Sequence, residues 1–531
     1  MTTCDDTSSV PGRSRIADPS AAPSGHQSIE WARRRSPLLD GFVRQRISDG
    51  SLEGKRVAVV VHLEAKTAFL ATVLADAGAH VVAAGSNPWS TRDDVAAALV
   101  DRGIEVHSSR GSTNEMWEAD LIRVADTEPE YIIDDGGELT IRMARDRPDL
   151  YSRLRGVSEE TTTGVARFRA LQERGRLPMP VVAANDAALK HLFDNRFGTG
   201  QSTVQAVLQL TNFTMPGRRL VVVGYGWVGR GISQYANAMG ARVTVVEVDP
   251  IRALEAHSDG HEVADLNTAL ADAEIAITAT GGIRAITTRH FDAMRDGVVL
   301  ANAGHHDHEV DVPALVGVAD DVTEVRPGVS RYRLGSKTVF VLSEGALVNI
   351  AGGLGHPIEI MDLSFSVQAL GCHHLASNDL EPGIHRFPAA LDEEIARAKL
   401  ASRGITLDHL LRMNSGLHFV EDYVDDQVSD CLEMLFGKGK ADTAAFAAAF
   451  PLAHAPGTHW SYASGTTNII ARIAARAISK TGADFEAFMR AELFAPLGIT
   501  SAIPKFDDAG TFIGSSFCYC TARDFARFGL L

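Results

Sequence analysis

The run Arg219-Leu220-Val221-Val222-Val223-Gly224-Tyr225-Gly226-Trp227-Val228-Gly229 most constrains how this chain can fold. Its apolar residues read as a buried strand, and its spaced glycines read as a tight turn opening a helix. In such a turn the first glycine permits the bend and the second lets a pyrophosphate approach the backbone. The third lets helix and strand pack closely. The helix N-terminus then faces the phosphates. Glu247 ends the next apolar run, ARVTVVEVDP, where a carboxylate accepts both ribose hydroxyls of NAD and repels a 2′-phosphate. Arg252 lies nearby and keeps NADP in play. Gly224, Gly226, Gly229 and Glu247 are therefore the expected cofactor-binding residues, and NAD is the expected cofactor. A glycine-rich structural turn in an unrelated α/β protein is the plainer alternative.

The same strand–helix alternation runs through most of the chain. RVAVVVHL reads as a strand, TAFLATVLADAGA as an amphipathic helix and HVVAAGSN as the next strand, in a series lasting to about residue 185. A second series starts near residue 199 and includes AEIAITATGG and GVVLANAG. The expected fold class is α/β, with two doubly wound parallel-sheet domains. Residues 1–28, rich in Ser, Pro, Gly, Asp and Arg, read as a disordered tail. The expected boundaries are 29–190 with 352–405 for a substrate-binding and catalytic domain, and 191–351 for an inserted Rossmann domain. The sequence style changes near residue 406.

Charge narrows the partners. With 51 Lys and Arg against 67 Asp and Glu, the formal net charge is −16. This argues against a nucleic-acid or anionic-membrane surface, both of which need a basic patch. No apolar run is long enough to span a bilayer. The polar N-terminus lacks the apolar core of a secretory signal. The five scattered cysteines, Cys4, Cys372, Cys431, Cys518 and Cys520, suit a reducing cytoplasm. His305, His306 and His308 crowd together, but adjacent residues of an extended chain point apart, and no metal is expected.

Chemistry comes from motifs elsewhere. Asp134-Asp135-Gly136-Gly137, Val157-Ser158-Glu159-Glu160-Thr161-Thr162-Thr163-Gly164, and Asn185-Asp186 with Lys190 and Asp194-Asn195 follow one another. Gly304-His305 and Gly355-His356-Pro357 come later. Singly, each has a bland reading: Lys190 and Glu160 as a surface pair, Asp134-Asp135-Gly136-Gly137 as a turn. Together, over roughly residues 30–405, they resemble the adenosylhomocysteinase family. The segment His62-Leu63-Glu64-Ala65-Lys66-Thr67 resembles its short archaeal and bacterial form.

The resemblance implies reversible hydrolysis of S-adenosyl-L-homocysteine to adenosine and homocysteine. Transient oxidation of the ribose 3′-hydroxyl acidifies the C4′ proton. Homocysteine is then eliminated, water adds and the ketone is reduced again. It implies Lys190 as the base at the 3′-hydroxyl, provided burial lowers its pKa, Asp194 hydrogen-bonded to Lys190 and the sugar, and Glu160 on the ribose hydroxyls. His62 and Asp135 would shuttle protons at C4′ and sulfur, and His305 would lie near C3′. Glu64, Lys66 and His356 would bind substrate. Thr161, Thr162, Thr163, Asn195 and Asn349 would contact NAD. A homotetramer is also implied.

Lys66 stands where many members carry Glu or Gln. A lysine only donates, which suits the carbonyl of hypoxanthine better than the amine of adenine; S-inosyl-L-homocysteine is therefore a second substrate to test. Arg92 replaces a common Gln. A plain NAD-dependent dehydrogenase and a catalytically silent NAD-binding homologue are the other classes to test.

Residues 406–531 resemble the penicillin-recognising serine hydrolases, related to class C β-lactamases, through TLDHLLRMNSGLHF, PGTHWSYASGTTN and LFAPLGI. Tyr462 would match the tyrosine that assists proton transfer. This α+β segment reads as incomplete. Its nucleophile belongs in Ser-x-x-Lys upstream of TLDHLL, and no serine of the chain has a lysine three residues later. The closing strand beyond FGLL is missing as well. Lys480-Thr481-Gly482 comes too soon after Tyr462 and reads as a helix end.

Overall fold

The computed structural model describes residues 14–304, 308–402, 404–421, 429–454 and 456–530. They divide into two compact units, meeting in sequence at Ala396 and Arg397.

The first unit contains two sheets. The first has strands β1 (Arg56–Val60), β2 (His80–Ala84), β3 (Glu105–Val106), β4 (Tyr131–Asp134), β5 (Gly156–Glu159) and β6 (Pro180–Ala183). The second has β7 (Arg219–Val223), β8 (Arg242–Val246), β9 (Glu262–Val263), β10 (Ile275–Thr278), β11 (Val298–Asn302), β12 (Asp321–Arg326), β13 (Val329–Leu334) and β14 (Lys337–Leu342). A late strand, β15 (Gly383–Arg386), returns to the first sheet and pairs in parallel with β6. The sheet orders are β15-β6-β5-β4-β1-β2-β3 and β12-β13-β14-β11-β10-β7-β8-β9. Both are doubly wound. Pairing is parallel except along β12-β13-β14, where short connections make it antiparallel. The central strands are Val- and Ile-rich and buried along their length, as strands covered by helices on both faces must be.

The helices that matter here are α1 (Ala22–Arg34), α2 (Ala65–Asp76), α3 (Thr162–Glu173), α4 (Thr199–Thr211), α5 (Trp227–Ala238), α6 (Ile358–Ser377) and α7 (Ala389–Ser402). Helix α2 differs from expectation. It is buried continuously from Lys66 to Leu74 rather than amphipathic, because α1 and α6 both pack on it. The disordered-tail expectation also fails for residues 14–28. Arg15 pairs with buried Asp120, Ser14 accepts from the Val106 amide, and Gly25 sits so close to Asp94 that a Cβ would lie 1.9 Å from its carbonyl oxygen. Long-range partners order a segment whose own composition is poor in apolar residues. Residues 1–13, including Cys4, lie outside the described residues.

The second unit is smaller. Helix α8 (Ser464–Ala477) is its longest, with a two-stranded antiparallel pair, β16 (Ile503–Pro504) and β17 (Cys518–Tyr519). Its apolar residues gather around Leu417, Phe419, Met434 and Ile469, and around Phe485, Met489 and Phe494. The boundary falls before the expected residue 406, because Leu400 and Ile405 belong to the first of these clusters. Among the described residues no helix is long and apolar enough to cross a membrane.

Candidate active site

The site is a cleft of the first unit with about 1010 Å³ of empty space, part of it open to solvent. It is built from the C-terminal ends of β1, β4, β5, β10 and β11, where doubly wound sheets present their loops. Thirteen of the expected residues line it: His62, Glu64, Lys66, Asp135, Glu160, Thr161, Thr162, Thr163, Lys190, Asp194, Asn195, Asn349 and His356; Gly224, Gly226, Gly229 and Glu247 do not. His305 lies outside the described residues, as does His306.

At its floor Lys190 Nζ lies 2.8 Å from Glu160 Oε1, 2.9 Å from Asp194 Oδ2 and 3.1 Å from Asn195 Oδ1. The local backbone explains how one lysine reaches both neighbours. Residues Lys190–Gly198 form a π-helix, whose wider turn brings positions four and five residues ahead onto one side. Asp392 on α7 fixes its entry by accepting from the Ala188 and Leu189 amides at 2.7 and 3.2 Å.

All three charges are buried, with Lys190 4%, Glu160 5% and Asp194 1% exposed. Desolvating such a group seldom adds stability, so its persistence points to function. Burial pushes Glu160 up to about 7, and the Lys190 charge only partly reverses this. Burial would also raise Asp194, but Lys190 and His356 hold it below the carboxylate range. Burial would lower Lys190, yet Asp194 and Glu160 outweigh it and hold the ammonium above its ordinary value. The expectation that burial depresses Lys190 is therefore corrected: the two acids overcompensate.

Across the cleft His62 Nε2 lies 3.4 Å from Asp135 Oδ2, and Ser86 donates to the same oxygen at 2.7 Å. His356 Nδ1 lies 3.1 Å from Asp194 Oδ1, and its Nε2 is 3.0 Å from Thr199 Oγ1. Near the rim Lys66 pairs with Glu64 at 2.8 Å and donates to the Leu354 carbonyl at 3.2 Å.

The three glycines of the turn differ in conformation and in the space around them. At Gly224, φ is +100° and a Cβ would lie 2.6 Å from the Ala279 carbonyl oxygen. At Gly229 a Cβ would meet the Gly224 carbonyl oxygen at 1.9 Å. At Gly226 a Cβ would meet open space, with only Arg252 Nη1, at 4.0 Å. That opening at the start of α5 leaves room for a pyrophosphate against the backbone. Glu247 follows β8 and accepts from the Tyr225, Val248 and Asp249 amides, which hold its carboxylate beside the turn. Asn349 donates to Ser202, while its buried carbonyl oxygen has no partner and is left to accept from a ligand in the cleft. These residues fit NAD.

Several supporting residues escaped the sequence reading. Asn185 accepts from Asn195 and Thr162 at 3.0 and 3.2 Å, tying two residues of the cleft together. Glu309 accepts from Thr280 and Gly281 and fixes the loop lining the cleft. Ser364 and Gln368 stand behind the acids. Asn185 was visible beside Asp186; the others act from distant segments that no local motif marks.

Two parallel-sheet domains, one with a glycine turn of the dinucleotide-binding kind, and a buried lysine between acids in a cleft define the class of a nucleotide-binding α/β enzyme. The family comparisons agree with that class. The family described as "S-adenosyl-L-homocysteine hydrolase" matches residues 13–149, and its "NAD binding domain" matches residues 195–355. The chain is 46% identical to an adenosylhomocysteinase of Thermococcus kodakarensis over 398 residues, 74% of this chain and 94% of the relative. It is 47% identical to an S-inosyl-L-homocysteine hydrolase of Methanopyrus kandleri over 404 residues, 75% and 95% respectively. The chain belongs to the adenosylhomocysteinase family, and NAD is its cofactor. A "Beta-lactamase" family matches residues 382–513, in keeping with the expected second hydrolase segment.

Proposed function

We propose that this protein reversibly hydrolyses S-adenosyl-L-homocysteine to adenosine and homocysteine. The observation that carries the reading is Lys190 held between Glu160 and Asp194 in a cleft that also presents the Asn349 carbonyl. Bound NAD supplies reversible hydride acceptance at the ribose, so it is recycled rather than consumed. Glu160 and Asp194 accept the ribose hydroxyls. A hydroxyl bound to them competes with Lys190 for its carboxylates, which lowers the ammonium's hold on its proton and lets the amine exchange a proton with the 3′-oxygen. His62 and Asp135, with Ser86 fixing the carboxylate, handle protons at C4′ and the departing sulfur. Asn195, Thr161, Thr162 and Thr163 orient the cofactor side. His305 is assigned to C3′ by family resemblance.

Lys66 favours testing the inosyl substrate as well. Of its three donors, Glu64 and the Leu354 carbonyl occupy two, leaving one N–H for a purine carbonyl, while Glu64 can accept from an amine. Thiol release from adenosyl- and inosyl-homocysteine, measured side by side, tests both readings. Net NADH accumulation without thiol would replace them with a dehydrogenase. A cytoplasmic homotetramer is the state family resemblance supports, and sedimentation of the full chain tests the assembly.

A further inference from the structure

Helix α6 is buried without a break from Met361 to Cys372. Most of that buried face is apolar, but Ser364 and Gln368, one turn apart, are each 0% exposed. Both reach the charged cluster from behind. Ser364 Oγ donates to Asp194 Oδ2 at 2.5 Å, and the Gln368 amide nitrogen donates to Glu160 Oε2. Lys190 uses the other Glu160 oxygen, Oε1. Each acid is thus held by Lys190 and by one donor from α6.

The Gln368 amide cannot be oriented freely. Ser158, from β5, donates to its oxygen at 2.6 Å. Ser158 and Glu160 lie two apart on an extended chain and face the same side. With its oxygen engaged by Ser158, only the amide nitrogen remains for Glu160, and that contact requires a carboxylate that accepts. Turned over, the amide would set oxygen against oxygen unless Glu160 carried a proton. The relay Ser158–Gln368–Glu160 therefore favours the ionised acid, at a position where burial works the other way. Ser364 acts likewise on Asp194.

We propose that Ser364 and Gln368 are positioning residues that keep Asp194 and Glu160 ionised and aimed at Lys190, and so set the pH range over which Lys190 exchanges its proton. The inference rests on the hydrolase reading above. Among the described residues, the charged or titratable groups facing this cluster are Lys190, Asp194 and neighbouring His191 from the π-helix, and Glu160 from the end of β5. His356 precedes α6, and the His62–Asp135 pair lines the same cleft. The α6 donors are neutral throughout, so their effect comes through these acids rather than through a charge of their own.

The test uses the full chain with NAD bound. Gln368→Met should move the acid limb of kcat upward by about one pH unit, the scale of a lost hydrogen bond to a charge. It should lower kcat near neutrality roughly tenfold, while KM changes less than about twofold. Ser364→Ala should lower kcat similarly, and Ser364→Thr, which keeps the hydroxyl, should restore it. Ser158→Ala touches neither acid directly and should shift the limb less, in the same direction. It keeps the test open if Gln368→Met folds poorly. A wild-type acid limb in both Gln368→Met and Ser158→Ala would overturn the proposal. So would losses in which kcat and KM change together. If wild-type protein releases no thiol, the hydrolase reading fails, but the inference can still be judged. The carboxylate of Glu160, assigned by Glu160→Gln in pH-difference infrared spectra, should titrate higher in Gln368→Met than in wild type. An unchanged titration would sink the inference by itself.

Discussion

Lys190 and Glu160 come from different elements, the π-helix and the end of β5, yet their charged atoms lie 2.8 Å apart with almost no solvent access. The consequence is that Lys190 rests as an ammonium and must be released from its acids before it can take a proton. Lys190→Ala should therefore remove proton exchange at the ribose. Thiol release should fall at least ~100-fold, the low end for a general acid–base group. NAD should stay bound, since the glycine turn is untouched. The check is thiol release together with the transient absorbance of enzyme-bound NADH. Normal thiol release from Lys190→Ala would discard the assigned role.

The glycine turn separates cofactor binding from folding. A Cβ at Gly226 meets only the end of the flexible Arg252 side chain, at 4.0 Å, whereas one at Gly229 runs into the Gly224 backbone. Gly226→Val should fold with a near wild-type melting curve but purify without NAD. Gly229→Val should unfold or aggregate. Cofactor content after denaturation, compared with the melting temperature, distinguishes the two. Full NAD occupancy in Gly226→Val would mean the pyrophosphate lies elsewhere.

Stability should respond to pH through the buried acids. Glu160 is pushed up to about 7 and Asp134 to about 6, both by burial, from ordinary values of 4.5 and 3.8. Between those limits the folded chain binds more protons than the unfolded one, so this contribution to stability is full at low pH and is lost as pH rises towards 7. Asp194 has the opposite sign, since its lowered value contributes stability that is lost only as pH falls below the usual carboxylate range. Melting temperatures at about pH 5 and about pH 7.5 should therefore differ less in Glu160→Gln than in wild type. An equal slope in both would show that Glu160 is already ionised across that range.

Much of this was legible in the sequence because it is local. A glycine turn, a pair of acids at a strand end and a lysine four residues before an aspartate announce themselves at fixed spacing. The parts that were not legible depend on distance along the chain. Gln368 meets Glu160 across 208 residues and Ser364 meets Asp194 across 170. Arg15 finds Asp120 across 105, which orders a segment that reads as tail. The sign of the Lys190 shift was hidden for the same reason. Burial alone argues for a lowered value, and only the geometry counts two carboxylates at hydrogen-bonding distance.

The last prediction concerns the second unit. It should hydrolyse neither β-lactams nor esters. Acyl transfer in the group it resembles needs a serine activated by a lysine three positions on, and the chain contains no such pair. The region just before TLDHLL, where that pair belongs, is occupied by α7, whose first half, up to Ala396, serves the first unit. Asp392 on α7 caps the segment carrying Lys190, and Ile395 is fully buried. Tyr462, the candidate proton-transfer residue, is 52% exposed, and the nearby Ser464 is spent on Glu421, to which both its amide and its hydroxyl donate. Two cuts separate the roles. Ending the chain after residue 405 keeps Asp392 and Ile395 and should preserve thiol release. Ending it before Asp392 should free the Ala188 and Leu189 amides, loosen the π-helix and lose most of the activity with NAD still bound. Thiol release and turnover of nitrocefin and nitrophenyl esters, compared across full-length chain and both truncations, decide the matter. Nitrocefin turnover by the full-length chain that disappears in Tyr462→Phe would establish a working second enzyme and overturn the assignment of this unit as silent.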